Sequence, residues 1–357
     1  MTTKKSATKK ATKKLVKAAS PKPATAAPAP AKRGARKGPL MLLFVVLGLG
    51  LATQGYLLWR RDQQSKLVLN FSNVLSEPGR NQPGLFCCAR DMAVAPDGDV
   101  IVLEAAEVGG SLQVFAPEGK GKYFYRPAKA SEALNGGFGV AAGPDGSIYV
   151  VEGSTGQVKV LSKQLKYERS FAIPTHAAGG LAVGPDGDLY IADRDRSSIL
   201  VVDNKGTVKQ RIEGGKGALG GPYRLNFGPD GNLYVLDFPR GMNDEPDIKV
   251  FKANGDFVNK WTMRNFAGNP YNTIAVHPKG YVFVNDNGGD AMAEGIHVYT
   301  LKGKLLGIAA MSSNRLVLKN ISNMAIDPKS GDIYLNTNTI SRGGDRFTFD
   351  PTETAAE

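Results

Sequence analysis

The sequence has few of the residues on which many enzyme active sites depend. Its 357 residues include three histidines, and one of them, His176, stands in a predicted loop where it could act as a general base. His277 precedes a turn proline and His297 lies within a predicted strand, so both are expected to be structural. The chain contains no HExxH, GxSxG or CxxC motif. This composition favours a function that is not enzymatic.

Cysteine is almost absent as well. Cys87 and Cys88 are the only two, and they are adjacent in the sequence. Outside the cytoplasm they could form a vicinal disulfide, which would loop out almost no chain and stabilise the fold little. Two buried thiols are the alternative.

Acidic residues are absent from the first 38 positions, which carry twelve Lys and Arg. Subtracting these twelve from the 45 basic residues leaves 33 against 33 acidic residues, so positions 39–357 are neutral. The segment 1–38 has little to bury and is predicted to be disordered. We expect it to lie against anionic lipid head groups, in preference to the alternative of binding nucleic acid.

Charge is absent again over 39–59, a run of 21 residues that ends with Tyr56 and Trp59 near its far boundary. A helix of that length spans the ~30 Å hydrocarbon layer, and no signal-peptidase pattern follows it. The run predicts a single-pass signal anchor with the N-terminus in the cytoplasm. The rest of the chain is then periplasmic or extracellular, after a linker at 60–65.

The remainder of the chain repeats itself. Six units contain an apolar run, a Pro-Asp-Gly-like turn and a second apolar run, with turn prolines at positions 96, 144, 185, 229, 278 and 328. Two more apolar runs complete each unit, and four short antiparallel strands per ~45 residues are typical of a β-propeller blade. The sixth unit has only three such runs, and the segment 66–72 (KLVLNFS) is predicted to supply its fourth strand. The sequence therefore predicts an all-β, six-bladed propeller over 66–350, followed by a disordered end at 351–357.

The repeat resembles the NHL family of propellers over roughly 66–349, in units such as GPDGDLYIAD and DIKVFKANG. The resemblance implies the propeller fold and leaves the function open, since the class includes scaffolds, binding modules and a few enzymes. Gluconolactonase-like and paraoxonase-like propellers use acidic and Asn side chains around their channel. Lyases of similar fold use clustered histidines, which this chain lacks.

Two sets of polar residues are candidates for a site on the face that carries the longer connections, here called the top face. The first is an acid placed six residues after each of five turn glycines: Glu104, Glu152, Asp193, Asp237 and Asp286. These side chains could hold Ca²⁺ or another divalent ion. Because the acid belongs to the repeat, it could instead cap the turn that follows.

The second set departs from the repeat at the start of the inner strands: Arg90, Asp91, Tyr223, Arg224, Asn272 and Asn323. Folding alone does not require these residues, so they predict a ligand-binding mouth. Arg224 could bind a carboxylate or a phosphate through its guanidinium group, or it could form an intramolecular ion pair with Asp91, Asp193 or Asp237.

These observations support two hypotheses from different classes. The first is a tethered binding or scaffold module without a cofactor, whose top face engages a protein or polymeric ligand. The second is a divalent-metal-dependent hydrolase or lyase that acts in the central channel.

Overall fold

A computed structural model describes residues 67–76, 83–86, 89–104, 110–238, 245–263, 273–286, 295–311, 321–337, 343–349 and 351. These residues belong to the unit Gln54–Glu357. The predicted tail 1–38, anchor 39–59 and linker 60–65 lie outside them, as do Cys87, Cys88 and Asn272. No helix within the described ranges is long and apolar enough to cross a membrane.

The described part of the chain is all-β apart from two 3-10 turns, Ala130–Glu132 and Gly215–Gly217. Twenty-four strands form six antiparallel blades of four. Blade one is β2 (Ala89–Val94), β3 (Val100–Glu104), β4 (Ser111–Phe115) and β5 (Gly121–Tyr125). Blade two is β6 (Gly137–Ala142), β7 (Ile148–Glu152), β8 (Gln157–Leu161) and β9 (Tyr167–Ala172). Blade three is β10 (Ala178–Val183), β11 (Leu189–Asp193), β12 (Ser198–Val202) and β13 (Val208–Ile212).

The second half of the ring follows the same order. Blade four is β14 (Pro222–Phe227), β15 (Asn232–Asp237), β16 (Asp247–Lys252) and β17 (Phe257–Thr262). Blade five is β18 (Ile274–His277), β19 (Tyr281–Asp286), β20 (Gly295–Thr300) and β21 (Leu305–Met311). Blade six is β22 (Ile321–Ile326), β23 (Ile333–Thr337), β24 (Gly344–Phe349) and, from the start of the described chain, β1 (Val68–Ser76).

The strand that closes the ring confirms the prediction and extends it. β1 pairs antiparallel with β24, with Leu69 opposite Phe349 and Ser76 opposite Gly344. The predicted segment 66–72 covers only the first part of this strand, because the pairing continues past two register shifts to Ser76. β1 also makes a short parallel pairing with β21 of blade five, so blades five and six form one eight-stranded sheet.

The hydrophobic core consists of six clusters, each between two neighbouring blades. The first strands of the blades pack side by side in a closed ring, in the order β2, β6, β10, β14, β18, β22. The cluster at the closure joins Leu67 and Leu69 to Phe283 of blade five and Phe347 of blade six. Each blade buries both of its faces, which explains why the second strands read as nearly continuous apolar runs.

The turns on the bottom face form as the Pro-Asp-Gly pattern predicts. In blade one the Gly98 amide donates to Ala95 O at 2.9 Å, and Gly98 has φ 90°, a conformation that favours glycine. In blade two the turn carboxylate, Asp145, accepts a hydrogen bond from the Ser147 amide at 2.9 Å. This Asx-type contact stabilises the turn locally.

Blades five and six form the turn with a different side chain, and the turn of blade six is one residue longer. The Gly280 amide donates to His277 O, three residues back, whereas the Gly331 amide donates to Asp327 O, four residues back. Lysine replaces the turn aspartate in both, and the residue before the turn proline becomes the acceptor. His277 Nδ1 accepts from the Lys279 amide at 3.1 Å, and Asp327 accepts from the Lys329 amide at 2.8 Å. In these two blades the residue two positions before the lysine therefore accepts the hydrogen bond that the turn aspartate accepts in other blades. His277 thus has a structural role, as expected.

We expect Leu69→Ala to lower the free energy of unfolding by about 3 kcal/mol, because Leu69 is fully buried in the closing strand. Asn70→Ala, at the next and exposed position of the same strand, is the control and should change it by about 0.5 kcal/mol or less. Chemical denaturation measures both values. Equal effects of the two substitutions would contradict the role of β1 in the core.

We also expect a pH-dependent contribution from His277, because burial lowers its pKa to about 4 from the ordinary 6.5. The unfolded chain takes up the proton first as the pH falls, so this contribution is complete above pH 6.5. It falls by about 3 kcal/mol as the pH drops to about 4. His277→Asn keeps an acceptor for the turn and does not titrate, so its stability should fall less between these pH values. Parallel stability curves for the two proteins would contradict the assignment.

Candidate functional site

The recurring acids stand at the top ends of the second strands, as the sequence predicts, and all five are buried. Each one interacts with side chains or amides of its own blade or of the adjoining connections. Glu104 accepts hydrogen bonds from Ser111 Oγ at 2.7 Å and Gln113 Nε2 at 3.0 Å, both on β4. Glu152 accepts from the Asn135 amide at 3.0 Å and from Thr155 Oγ1.

The acids of blades three and four accept short hydrogen bonds from positively charged side chains. Asp193 accepts from Thr175 Oγ1 at 2.7 Å and from Arg211 at 2.5 Å. Burial on its own would raise the pKa of Asp193, but the hydrogen bonds from Thr175 and Arg211 outweigh it and hold the pKa below its usual range. Asp237 is fully buried and accepts from Lys249 Nζ at 2.6 Å.

A shared geometry explains these contacts. In four blades the third residue of the third strand lies diagonally across the hairpin from the acid, opposite the residue two positions before it. These third residues are Gln113, Lys159, Lys249 and His297. Lys159 Nζ lies 4.0 Å from Glu152, and His297 Nε2 lies 4.0 Å from Asp286. In blade three this position is Leu200, and Arg211 of the fourth strand supplies the positive charge instead. The acids thus pair within their blades.

The acids also do not converge on the channel. Within the described ranges, no three His, Cys, Asp or Glu side chains come together in a way that could hold a metal ion. A Ca²⁺ ion takes six to eight oxygen ligands. The five described acids therefore do not form a divalent site with one another.

The inner strands enclose a central cavity of about 230 Å³. Its lower part is apolar, with Val94, Val183 and Ile326 from three blades. Polar residues line its upper end, where Asp91 of blade one and Arg224 of blade four are both buried.

Arg224 crosses the channel at this upper end. Its Nη1 donates to Phe138 O of blade two at 3.0 Å, and its Nη2 donates to Arg90 O of blade one at 3.1 Å. Asp91 Oδ2 lies 3.8 Å from Nη1. Because blade four is opposite blade one in a six-bladed ring, the side chain ties strands across the axis. Intramolecular pairing with Asp91 is one of the alternatives that the sequence leaves open.

Glycine in the intervening blade makes room for this crossing. Gly180 occupies the position of blade three that corresponds to Arg224, and a Cβ there would lie 3.0 Å from Arg224 Cα. It would also lie 3.1 Å from Tyr223 O. A larger residue at position 180 would push β14 and Arg224 away from their partners.

Two more polar residues of the mouth bind the backbone of a neighbouring inner strand. Asp91 accepts from the Val140 amide at 2.9 Å, and Asn323 donates to Ala89 O at 2.6 Å. Burial raises the pKa of Asp91, and the nearby Arg224 charge offsets only part of that effect. Asn323 Oδ1 and Arg224 Nε are buried and have no hydrogen-bond partner among the residues that the structure describes. Asn323 and Arg224 thus bind the backbone of other inner strands and also keep polar atoms at the centre of the ring.

Aromatic rings and arginines surround Arg224 at the mouth. Phe138 lies beneath two guanidinium groups, with Arg90 Cζ 4.7 Å and Arg224 Cζ 4.9 Å from the ring centroid. Tyr223 has Arg224 at 5.2 Å and Arg194 at 5.3 Å. The Phe138 and Tyr223 rings meet edge to face at 5.4 Å. We call Arg90, Phe138, Arg194, Tyr223 and Arg224 the mouth cluster.

Of the mouth cluster, Arg90, Tyr223 and Arg224 were predicted from the sequence, whereas Phe138 and Arg194 were not. Phe138 interrupts the repeat beside Gly139, where blade three has two glycines, so the same search for departures could have found it. Arg194 directly follows the acid of blade three, at the position where blade two has Gly153. Its proximity to Tyr223 depends on the curvature of the ring.

The predicted base His176 lies apart from the mouth cluster. It is exposed on the connection between blades two and three, with its ring over Gly156. None of the hydrogen bonds found among the described residues joins it to an acid that could orient it.

No family model and no curated protein matches the chain. Many solved structures share its fold. A gluconolactonase from Xanthomonas campestris is 14% identical, with a TM-score of 0.53 over 80% of this chain and 97% of that one. A streptogramin B lyase is 12% identical, with a TM-score of 0.52 over 81% and 99%. A hydrazine synthase from Kuenenia stuttgartiensis is 18% identical, with a TM-score of 0.51 over 71% and 74%.

At these identities the likeness shows the fold alone. The described part of the chain is a six-bladed propeller, and its fold is similar to the folds of the gluconolactonase and the lyase. The resemblance to NHL repeats stays a prediction from the repeat sequence.

We expect Asp237→Asn to lower the free energy of unfolding by about 3 kcal/mol, because an amide cannot accept from Lys249 and from the Gly220 and Gly221 amides at once. Asp256→Asn, on an exposed turn of the same blade, should cost about 0.5 kcal/mol or less. Both values should be the same with and without a chelator. A metal ion that is bound by the wild type and lost from Asp237→Asn would contradict the structural role of the acid.

Proposed function

We propose that the protein is a membrane-tethered binding module that engages a protein or polymeric ligand outside the cytoplasm through its top face. The observation that supports this proposal most strongly is the mouth cluster. Its residues depart from the repeat, come from four positions along the ring and lie together at one end of the channel. The acids that follow the repeat are used within their own blades.

The two faces of the propeller differ in the way expected of a binding scaffold. Bottom turns are short and alike, and their hydrogen bonds are nearly the same from blade to blade. The top connections that the structure describes differ in length and conformation, as at 126–136, 173–177 and 213–221. A rigid ring with variable loops on one side is a common arrangement for recognition.

The membrane tether belongs to the same proposal. It rests on the charge-free run 39–59 and on the twelve basic residues before it, which favour a cytoplasmic N-terminus. The basic tail would then lie against anionic lipid head groups.

The alternative is a divalent-metal-dependent hydrolase or lyase. The fold shared with a gluconolactonase and a streptogramin B lyase is compatible with it. The described acids do not favour it, because they pair with donors of their own blades and do not converge. The chelator comparison above separates the two functions.

Site-specific photo-cross-linking tests the binding proposal in the cells that produce the protein. A photoreactive residue at the exposed top position Lys216 or Lys129 should cross-link to one recurring partner. The matched control is the exposed Lys205 on the bottom turn of blade three, the same blade that leads to Lys216. We expect the adduct from the top positions only. The same adduct from Lys205, or none from either top position, would refute the proposal.

A further inference from the structure

The central cavity continues below Arg224 toward the bottom face of the propeller. At its upper end Asp91, Gly180 and Arg224 are buried, whereas most of the lining residues at its lower end are half-buried or exposed. These lower residues include Val94, Val183, Phe227, Ile326 and Pro328. The cavity therefore opens downward, and Arg224 crosses above it. The first turns of all six blades surround this opening, and the structure describes each of them.

One position in the middle of the cavity departs from the repeat. Three residues before the turn proline, blade four has Asn226, whereas each of the other five blades has alanine. The alanines are Ala93, Ala141, Ala182, Ala275 and Ala325. Because alanine is compatible with the fold at five equivalent positions, folding alone does not require an asparagine in blade four.

The side-chain amide of Asn226 has a fixed orientation. Its Oδ1 accepts from the Val276 amide of blade five at 3.1 Å, so its Nδ2 lies on the other side of the group. Asn226 is half-buried and lines the cavity. Its Nδ2 donates none of the hydrogen bonds found among the described residues. The N–H donors of Nδ2 are thus available to an oxygen atom of a ligand.

The surroundings of Asn226 are polar without being charged. Asp91 and Arg224 are the only charged side chains among the described residues that line the cavity, and both are at its upper end. Each inner strand lies at one end of its sheet, so one edge of its backbone, with N–H and C=O groups, faces the channel. A buried charge would have no counterion below Arg224, and burying an unpaired charge is costly. The lower part of the cavity therefore suits an uncharged ligand.

An aromatic ring lies next to Asn226 in the sequence and lines the same cavity. Phe227 is half-buried, and the other five blades have Val, Ala or Ile at this position. Its ring is held edge to face against Tyr190, with the centroids 4.9 Å apart. Blade four thus adds both a hydrogen-bond donor and an apolar surface to a channel wall that is otherwise built from small aliphatic side chains.

We propose that the lower part of the cavity binds an uncharged small molecule with an oxygen acceptor, an amide or an alcohol, on an apolar body. Asn226 Nδ2 donates to the oxygen, and Phe227 contacts the apolar body. The whole cavity measures about 230 Å³. Since a dry cavity of ~150 Å³ holds benzene, a single ring with one polar substituent fits. This site goes beyond the top-face function proposed above and does not depend on it.

Calorimetric titration of the full chain in detergent tests this site with benzamide, benzyl alcohol, toluene and benzoate, and empty micelles serve as the blank. We expect benzamide and benzyl alcohol to show saturable binding. Toluene should bind more weakly because it lacks an oxygen, and benzoate because its charge would be buried without a counterion. Asn226→Ala should weaken benzamide binding about fivefold, which corresponds to one hydrogen bond, and should leave toluene binding unchanged within about twofold.

Asn259→Ala is the matched control. Asn259 is on the outer strand of blade four and donates to Lys302 O of blade five at 3.2 Å, so each substitution removes one hydrogen bond between the same two blades. The control should leave benzamide binding unchanged within about twofold. No saturable binding of benzamide or benzyl alcohol to the folded wild type would overturn the proposal, as would an equal loss in both variants. Tighter binding of benzoate than of benzamide would contradict an uncharged ligand.

Discussion

The propeller depends on apolar contact between neighbouring blades. No blade buries both faces alone, and six interfaces are complete only when the ring is closed. The closing strand β1 supplies Leu69 to the interface between blades five and six, and Leu75 to that between six and one. The rest of the structure follows from this closure. It brings inner strands from opposite blades within reach of one side chain.

Much of the fold could be predicted from the sequence because its signals are local. The Pro-Asp-Gly turns fix each hairpin within a few residues, and the missing fourth strand of unit six follows from counting. Even the exceptions have a local cause, since Lys279 and Lys329 stand in turns where His277 and Asp327 accept the capping hydrogen bond. The end of β1 at Ser76 was harder to predict from the sequence, because the register of β1 depends on bulges in its pairing with β24.

The site was harder to predict, because its contacts join residues that are distant in the chain. Arg224 and Arg90 are 134 positions apart, and only the ring geometry brings them together. Asp237 accepts from Lys249 on the next strand of its blade, whereas Asp193 accepts from Arg211 on the strand after that. The position of an acid in the repeat does not predict which donor will bind it. The partners of the acids decide between a metal site and a capped turn, and in the described ranges each acid has donors or basic groups of its own.

The closing strand has a mechanical consequence for a tethered domain. The chain leading to any anchor leaves the propeller at the first residue of β1, and β24 is held from its opposite end by the rest of blade six. A pull along the tether therefore loads β1 and β24 in shear, and the hydrogen bonds between them resist together instead of opening one at a time. The strand that closes the ring would therefore also carry any load applied at the start of β1.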